Sequence, residues 1–289
     1  MSKRMIDIAS PARLSVNMQR LTIEQNAAGN VLIPLDEIAA VIVSNRQVVF
    51  THAVLSGLAA TGAIFLVCDE KHLPGAMLLP LQTHHSQCES FALQAALSLP
   101  VKKRLWKQVV RAKISSQAAL LKTVVGSDFG LSDLAKEVRS ADVTNVEGQA
   151  ARCYWSRLFG RPFRRDVERP DQNRHLNYGY AILRGMVARG IAAAGLHPSL
   201  GLHHHNRYDP FALADDLMEP FRAIVDFAVW NWIQQNPPTG EFTQDARRYL
   251  LESLSKSYPW RKKEQRTLFD MASRIGASLV KVTRGQSRN

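Results

Sequence analysis

From residue 5 to about residue 80 the apolar positions come in short runs, alternating or continuous. Beyond residue 90 they recur at helical spacing. Leu14-Ser15-Val16 and Leu21-Thr22-Ile23 flank a polar connection and predict a hairpin. Residues 26–30, with Gly29, give a turn, and residues 31–35 a strand that Pro34 places at an edge or an end. Residues 39–43 and 48–50 continue the series. Thr51 caps a short helix over residues 51–60, with Val54, Leu55 and Leu58 at helical spacing. Residues 64–68 read as a buried strand ending in Asp69-Glu70, and residues 76–81 as a last apolar run. Asp69 and Glu70 read as a solvated turn, since neighbours on a strand point to opposite faces. The pattern predicts an α+β chain. A small β-rich domain over residues 1–83, structural or dimer-forming, precedes a larger all-helical domain over residues 84–289.

In the second part a linker around residues 83–87 leads to a helix through Phe91, Leu93, Ala95, Ala96 and Leu99, which Pro100 breaks. Leu105, Val109, Ala112, Ile114, Ala118 and Leu121 carry a longer helix. Its polar face holds Lys102, Lys103, Arg104, Lys107, Arg111 and Lys113, a face that is either solvated or in contact with phosphates. Asn145 or Thr144 caps the next helix, with Glu147 in its first turn, where a carboxylate suits the helix dipole. Leu176-Asn177-Tyr178-Gly179-Tyr180 leads into an apolar helix through Ile182, Leu183, Met186, Val187, Ile191 and Ala194, and two further helical segments lie at about 243–258 and 264–282.

Charge narrows the partners. Lys and Arg number 37 against 25 Asp and Glu, a net of +12, so a polyanion such as nucleic acid or an anionic surface is favoured. Arg157, Arg161, Arg164, Arg165, Arg169 and Arg174 fall close together, with Phe159 and Phe163 among them. Arginine binds phosphate oxygens in a planar fork. Trp260-Arg261-Lys262-Lys263 with Arg266 makes a second basic cluster. No apolar run reaches the length of a membrane span, and the N-terminus carries no secretory h-region. Cys68, Cys88 and Cys153 form no CxxC pair, which fits a reducing cytoplasm.

The chemistry concentrates at Asp215-Asp216-Leu217-Met218-Glu219-Pro220-Phe221-Arg222, shortly after His203-His204-His205. Asp216 and Glu219 stand three apart and share a face if the stretch is helical. Buried together they need a cation, and a divalent metal with a histidine nearby would meet that need.

These motifs resemble one family. Glu147 sits in an E-G-x-A-A-R-x-Y stretch. It is followed by Asn177-Tyr178-Gly179-Tyr180, Gly201-Leu202-x-His204 and Asp216-Leu217-Met218-Glu219-Pro220-Phe221-Arg222. In this order they resemble the Cas1 family, the CRISPR-associated endonuclease and integrase of spacer acquisition. Lys71-x-Leu73-Pro74 and Ala76-Met77-Leu78 suggest the type II form. The resemblance implies a homodimer that assembles with a small Cas2 partner dimer and with other type II acquisition proteins. It also implies one metal site, Mg²⁺ or Mn²⁺, ligated by Glu147, His204 and Glu219, with Asp216 as a nearby acid assisting through water. Among the three histidines the register after Gly201 selects His204.

In the chemistry so implied, the 3′-hydroxyl of a captured double-stranded DNA fragment attacks a phosphodiester at the edge of a CRISPR repeat. No ATP is consumed, and with water as nucleophile the same site cuts DNA. Arg157, Arg161, Arg164, Arg165, Arg174, Tyr178, Lys262 and Lys263 are the expected DNA contacts. Three readings compete: a structure-specific repair nuclease, a binding module without chemistry, and a tyrosine recombinase, for which no Arg-His-Arg constellation is evident.

Overall fold

A computed structural model of the chain describes residues 3–25, 29–70, 72–79, 86–204, 206–236, 242–260 and 264–286. His205, Lys262, Lys263 and the expected linker at 83–85 lie outside them. The N-terminal region holds two four-stranded sheets. One has the order β1 (Arg4–Ile8), β5 (Ile38–Val43), β7 (Ile64–Cys68), β8 (Pro74–Leu78). The first three strands run parallel and β8 runs antiparallel to β7. The other orders β4 (Gly29–Pro34), β3 (Arg20–Gln25), β2 (Arg13–Asn17), β6 (Val49–Phe50), and β2 and β3 form the expected hairpin.

Strand β5 is buried at every position, which is what a parallel sheet covered on both faces requires. Alternation divides its side chains. Val41 and Val43 join Leu14, Leu21 and Phe65 in a core between the two sheets. Ala40 and Ile42, with Ile64 and Leu66, face the other way and belong to the core of the helical part. The β-rich region therefore shares a hydrophobic core with the helices. Helix α1 (His52–Thr61) starts after Thr51, but the Thr51 hydroxyl makes no capping hydrogen bond, and the helix ends at Gly62 in the left-handed conformation, φ 69°.

The helical part comprises α2 (Gln87–Ala95), α3 (Leu99–Val125), α4 (Leu131–Glu137), α5 (Val146–Leu158), α6 (Gln172–Ala193), α7 (Ala212–Met218), α8 (Arg222–Gln235), α9 (Gln244–Leu254) and α10 (Leu268–Thr283). A 3-10 turn, Glu219–Phe221, links α7 to α8. Pro100 begins α3 instead of simply ending the helix before it: in a first turn its missing N–H costs nothing. The α+β class holds, with one addition to the helical part. A ribbon of β9 (Ser257–Pro259) and β10 (Gln265–Thr267) stands between α9 and α10. Pro259 disfavours a continued helix there, and the Thr267 side chain accepts from the Asp270 N–H to start α10.

Candidate functional site

Helix α5 begins after three non-glycine residues with positive φ: Ala141 (63°), Asp142 (49°) and Asn145 (50°). Such conformations are costly and persist only where surrounding contacts enforce them. Here the contacts are caps. Asp142 accepts from the Val146 N–H at 2.9 Å and the Glu147 N–H at 3.0 Å, and Asn145 Oδ1 accepts from the Gly148 N–H at 3.1 Å. A Cβ at Gly148 would lie 2.6 Å from that Oδ1, so the cap depends on the glycine. Glu147 is thereby fixed in the first turn of α5.

Its carboxylate meets Lys113 of α3, with Nζ 2.5 Å from Glu147 Oε1. The same Nζ lies 2.7 Å from Glu219 Oε2. Two carboxylates from separate elements thus converge on one cation. Lys113 falls three after Val110 and seven after Trp106, so the helix turns it toward the core side and not with the exposed Lys103, Arg104 and Arg111. Burial works against its charge, but Glu219 and Glu147 outweigh that and hold the ammonium above the ordinary lysine value. For Glu219, burial is overcome by Arg222 and Lys113, which keep its carboxyl below the usual range. Arg222 Nε stands 3.0 Å from Glu219 Oε1. Glu219 Oε2 touches Lys113 only as an ion pair and accepts no well-angled hydrogen bond, which leaves a buried oxygen with spare coordinating capacity.

Behind this pair lies a buried network. The Arg222 guanidinium sits 4.5 Å from the Tyr180 ring centroid. The Tyr180 hydroxyl donates to Asp226, and so does Tyr154 Oη at 2.6 Å. Burial pushes the Asp226 carboxyl up to about 6 even though both tyrosines donate to it. Tyr154 lies two turns after Glu147 on α5, so the network ties the α5 face that bears Glu147 to α6 and α8.

The third expected ligand comes from the loop before α7. Asp216 is fully buried and accepts from the Leu202 N–H at 2.6 Å, the His203 N–H at 2.9 Å and His204 Nδ1 at 2.5 Å. That bond raises the His204 pKa against the effect of burial. It commits Nδ1 and leaves Nε2 free. His203 instead lies flat on Trp106, ring centroids 4.3 Å apart and planes 3° apart, so consecutive histidines do diverge. Gly201 lies under the loop: a Cβ there would be 2.6 Å from the His204 carbonyl. Gln94 of α2 holds the preceding turn through the His197 N–H and the carbonyls of His197 and Leu200.

Among the described residues, no three His, Cys, Asp or Glu side chains stand ready-assembled for a metal. Glu147 and Glu219 are joined through Lys113, and His204 stands apart from that contact. Both Asp216 oxygens are engaged by the loop, one by the Leu202 and His203 N–H groups and the other by His204 Nδ1. The donor types nonetheless suit a hard divalent cation: two carboxylates, one with a spare oxygen, and an imidazole with one free nitrogen.

The expected DNA contacts divide. Arg157, Arg161, Arg164 and Arg174 are exposed. Arg165 is half-buried and donates to Asn173 Oδ1 at 2.9 Å and Asn177 Oδ1 at 2.7 Å, so it knits the 161–171 segment to α6. Tyr178 was expected to touch DNA but is fully buried, 5.0 Å from the Phe242 ring, because α6 is covered on nearly all sides; it is a packing residue. Asp69 and Glu70 form a solvated turn, with Glu70 paired to Arg46 at 2.8 Å and Asp69 accepting from the Leu73 N–H. The residue that sequence reading missed is Lys113. It was grouped with the basic face of its helix, although its spacing from Trp106 and Val110 already set it apart.

Fold and site together define an α+β protein whose helical part carries two convergent glutamates and a braced histidine, on helices with lysine- and arginine-rich outer faces. The chain belongs to the Cas1 family: the family model described as CRISPR associated protein Cas1 matches residues 8–258. It is 39% identical over 257 residues to a CRISPR-associated endonuclease Cas1 of Neisseria meningitidis serogroup C (strain 8013), covering 88% of this chain and 84% of that one. Among solved structures, a casposase bound to integration product aligns over 100% of this chain and 92% of its own with a TM-score of 0.80 at 18% identity. A Cas6-RT-Cas1–Cas2 complex aligns over 99% of this chain and 35% of its own, TM-score 0.72, also at 18% identity. No described helix is long and apolar enough to cross a membrane.

Proposed function

We propose that this protein is a metal-dependent DNA strand transferase and endonuclease of the type II form. It inserts fragments of double-stranded DNA into a CRISPR array by attack of their 3′-hydroxyl on a repeat phosphodiester. The observation that carries the reading is the convergence of Glu147 and Glu219 on a single cation, 2.5 and 2.7 Å from Lys113 Nζ. Glu147, Glu219 and His204 through Nε2 are the residues that would hold Mg²⁺ or Mn²⁺. Such an ion, when bound, supplies Lewis-acid stabilisation of the phosphodiester undergoing in-line displacement.

The chain's own residues do the rest. Asp216 fixes the His204 tautomer and ring direction. Arg222, braced on Tyr180, holds one oxygen of Glu219 and keeps it ionised. Asn145 and Asp142 fix Glu147 at the start of α5. The exposed Arg157, Arg161, Arg164 and Arg174 supply phosphate contacts that position DNA without reading its sequence. Val31, Leu32 and Val49 are exposed apolar side chains on the β4-β3-β2-β6 sheet, with Met18 exposed in its hairpin turn, which suits a homodimer through the β-rich region. A Cas2 dimer and other type II acquisition proteins are the proposed assembly partners, and the cytoplasm the compartment.

The test is a strand-transfer assay. The protein and its small partner are mixed with a labelled duplex bearing free 3′-hydroxyls and a plasmid carrying a repeat array. Joining at the repeat edge is expected with Mg²⁺ or Mn²⁺, and none with EDTA or with Glu147→Ala. Cutting without joining would favour a repair nuclease. Binding that ignores both EDTA and the substitution would reduce the site to a structural cluster.

A further inference from the structure

We propose that Lys113 is a built-in counter-cation that holds the metal position between Glu147 and Glu219, and that its displacement couples metal binding to DNA binding. This rests on the metal reading above and adds a residue to it. Glu147 and Glu219 come from different elements, yet their carboxylates share one partner atom, Lys113 Nζ. The Lys113 side chain is 14% exposed and that of Glu219 is 6% exposed. Two carboxylates in so enclosed a place repel strongly unless a cation lies between them. The site must therefore hold positive charge in every state, and the fold supplies it from α3.

Lysine suits this role better than arginine. Its ammonium is a compact point charge on a flexible four-carbon stem and can leave without dismantling a planar, two-pronged contact. Arg222 stays on the other oxygen of Glu219, so that carboxylate keeps its orientation when Lys113 departs. Glu147 is the more open of the two, with its side chain 27% exposed.

A metal ion that binds both glutamates must expel the ammonium and leave it without a partner in a largely buried place. That cost weakens metal binding to the protein alone. A DNA phosphate drawn to the site provides the expelled ammonium with a new anion. Each ligand then favours the other, and the coupling must be reciprocal. The protein would hold its cation weakly until DNA arrives, so Lys113 acts as a positioning residue that restrains the site in the absence of substrate.

The experiment is titration calorimetry of Mn²⁺ into metal-free protein, with and without a short duplex, for the wild type, Lys113→Met and Lys113→Gln. Thermal melts of the same samples run in parallel. Glutamine retains two N–H donors for the carboxylates, so it keeps the test available if the methionine variant fails to fold. Both variants should bind Mn²⁺ at least tenfold more tightly than the wild type. Without metal they should melt at lower temperature, and Mn²⁺ should restore them. Duplex should tighten Mn²⁺ binding to the wild type but not to the variants. Folded variants that bind Mn²⁺ as weakly as the wild type, or more weakly, would overturn the role given to Lys113 and leave the metal site standing. Failure of every protein to bind Mn²⁺, even with duplex, would overturn both. On wild-type protein, acetylation of Lys113 followed by mass spectrometry should show protection that saturating Mn²⁺ relieves and that added duplex restores; protection unchanged by saturating Mn²⁺ counts against displacement.

Discussion

Asp216 holds His204 by its Nδ1 atom at 2.5 Å while its other oxygen takes the backbone N–H groups of Leu202 and His203. One buried carboxylate thus sets both the path of the loop and the face that the imidazole presents. Ligating histidines characteristically give their second nitrogen to a carboxylate or carbonyl in this way, and loss of such a partner costs roughly 10–100-fold in metal affinity or activity. Asp216→Asn keeps the size and one acceptor oxygen but cannot impose the same tautomer. Strand transfer by this variant should fall by about that factor, with the circular dichroism spectrum unchanged. Activity equal to wild type would mean that His204 does not depend on Asp216 for its direction.

The two glutamates should differ in what their loss does to the fold. Glu219 offsets two cations, Lys113 and Arg222, in a buried setting. Its removal takes from Arg222 its ion-pair partner and leaves it only the Tyr180 ring in contact, and breaking a buried pair typically costs about 3–5 kcal/mol. Glu147 is more exposed, and Lys113 keeps Glu219 when it is gone, so Glu147→Ala should cost about 1 kcal/mol or less. Urea unfolding of Glu219→Ala and Glu147→Ala measures the gap. Both substitutions should abolish joining, but only the first should shift the midpoint far. Equal midpoints would place Glu219 in a more solvated setting than described.

Much of this could be read from the sequence, for a physical reason. The hairpin around residues 14–23 announces itself because one face is buried and the alternation is local, and the strand Ile64–Cys68 because burial on both faces leaves a continuous apolar run. The N-cap at Asn145 is legible because capping needs a short polar side chain within three residues of the N–H it satisfies. Contacts between distant residues are another matter. Nothing local signals that Lys113 reaches across to Glu147 and Glu219, that Asp226 receives both Tyr154 and Tyr180, or that Arg165 is spent on Asn173 and Asn177. Tyr178 misled for the same reason: its neighbours in sequence are polar or small, while its neighbours in space are Phe242 and the core.

Arg164 and Arg165, adjacent in sequence, should behave oppositely under charge reversal. Arg164 is exposed, and Arg165 braces α6 through two asparagines. Arg164→Glu should leave the melting temperature in place, weaken duplex binding and lower the salt slope by about one unit for a lost phosphate contact. Arg165→Glu should lower the melting temperature first. Binding curves at several salt concentrations, beside thermal melts, separate the two. A salt slope untouched by Arg164→Glu removes that residue from the DNA path.

His175 should make part of the protein's acid sensitivity traceable to one side chain. It is buried on α6, its ring 5.0 Å from Phe242, and its Nδ1 has no hydrogen-bond partner. Burial, with Arg174 beside it, pushes its pKa down to about 4 from the usual 6.5. The native state therefore keeps it neutral, while the unfolded chain takes up a proton as pH falls below 6.5. Between the two values the unfolded state binds more protons, so stability declines as pH falls through this window, by up to about 3 kcal/mol for a shift of this size. Asp226 pulls the other way: its raised value, about 6, adds stability toward low pH that is lost as pH rises toward 6. The wild-type profile mixes both and cannot assign either. His175→Phe isolates one. The stability difference between variant and wild type should change steadily in the variant's favour from pH 6.5 to pH 4, as read by urea midpoints across that range. A difference that stays constant with pH would mean that His175 is charged in the native state as readily as in the unfolded one.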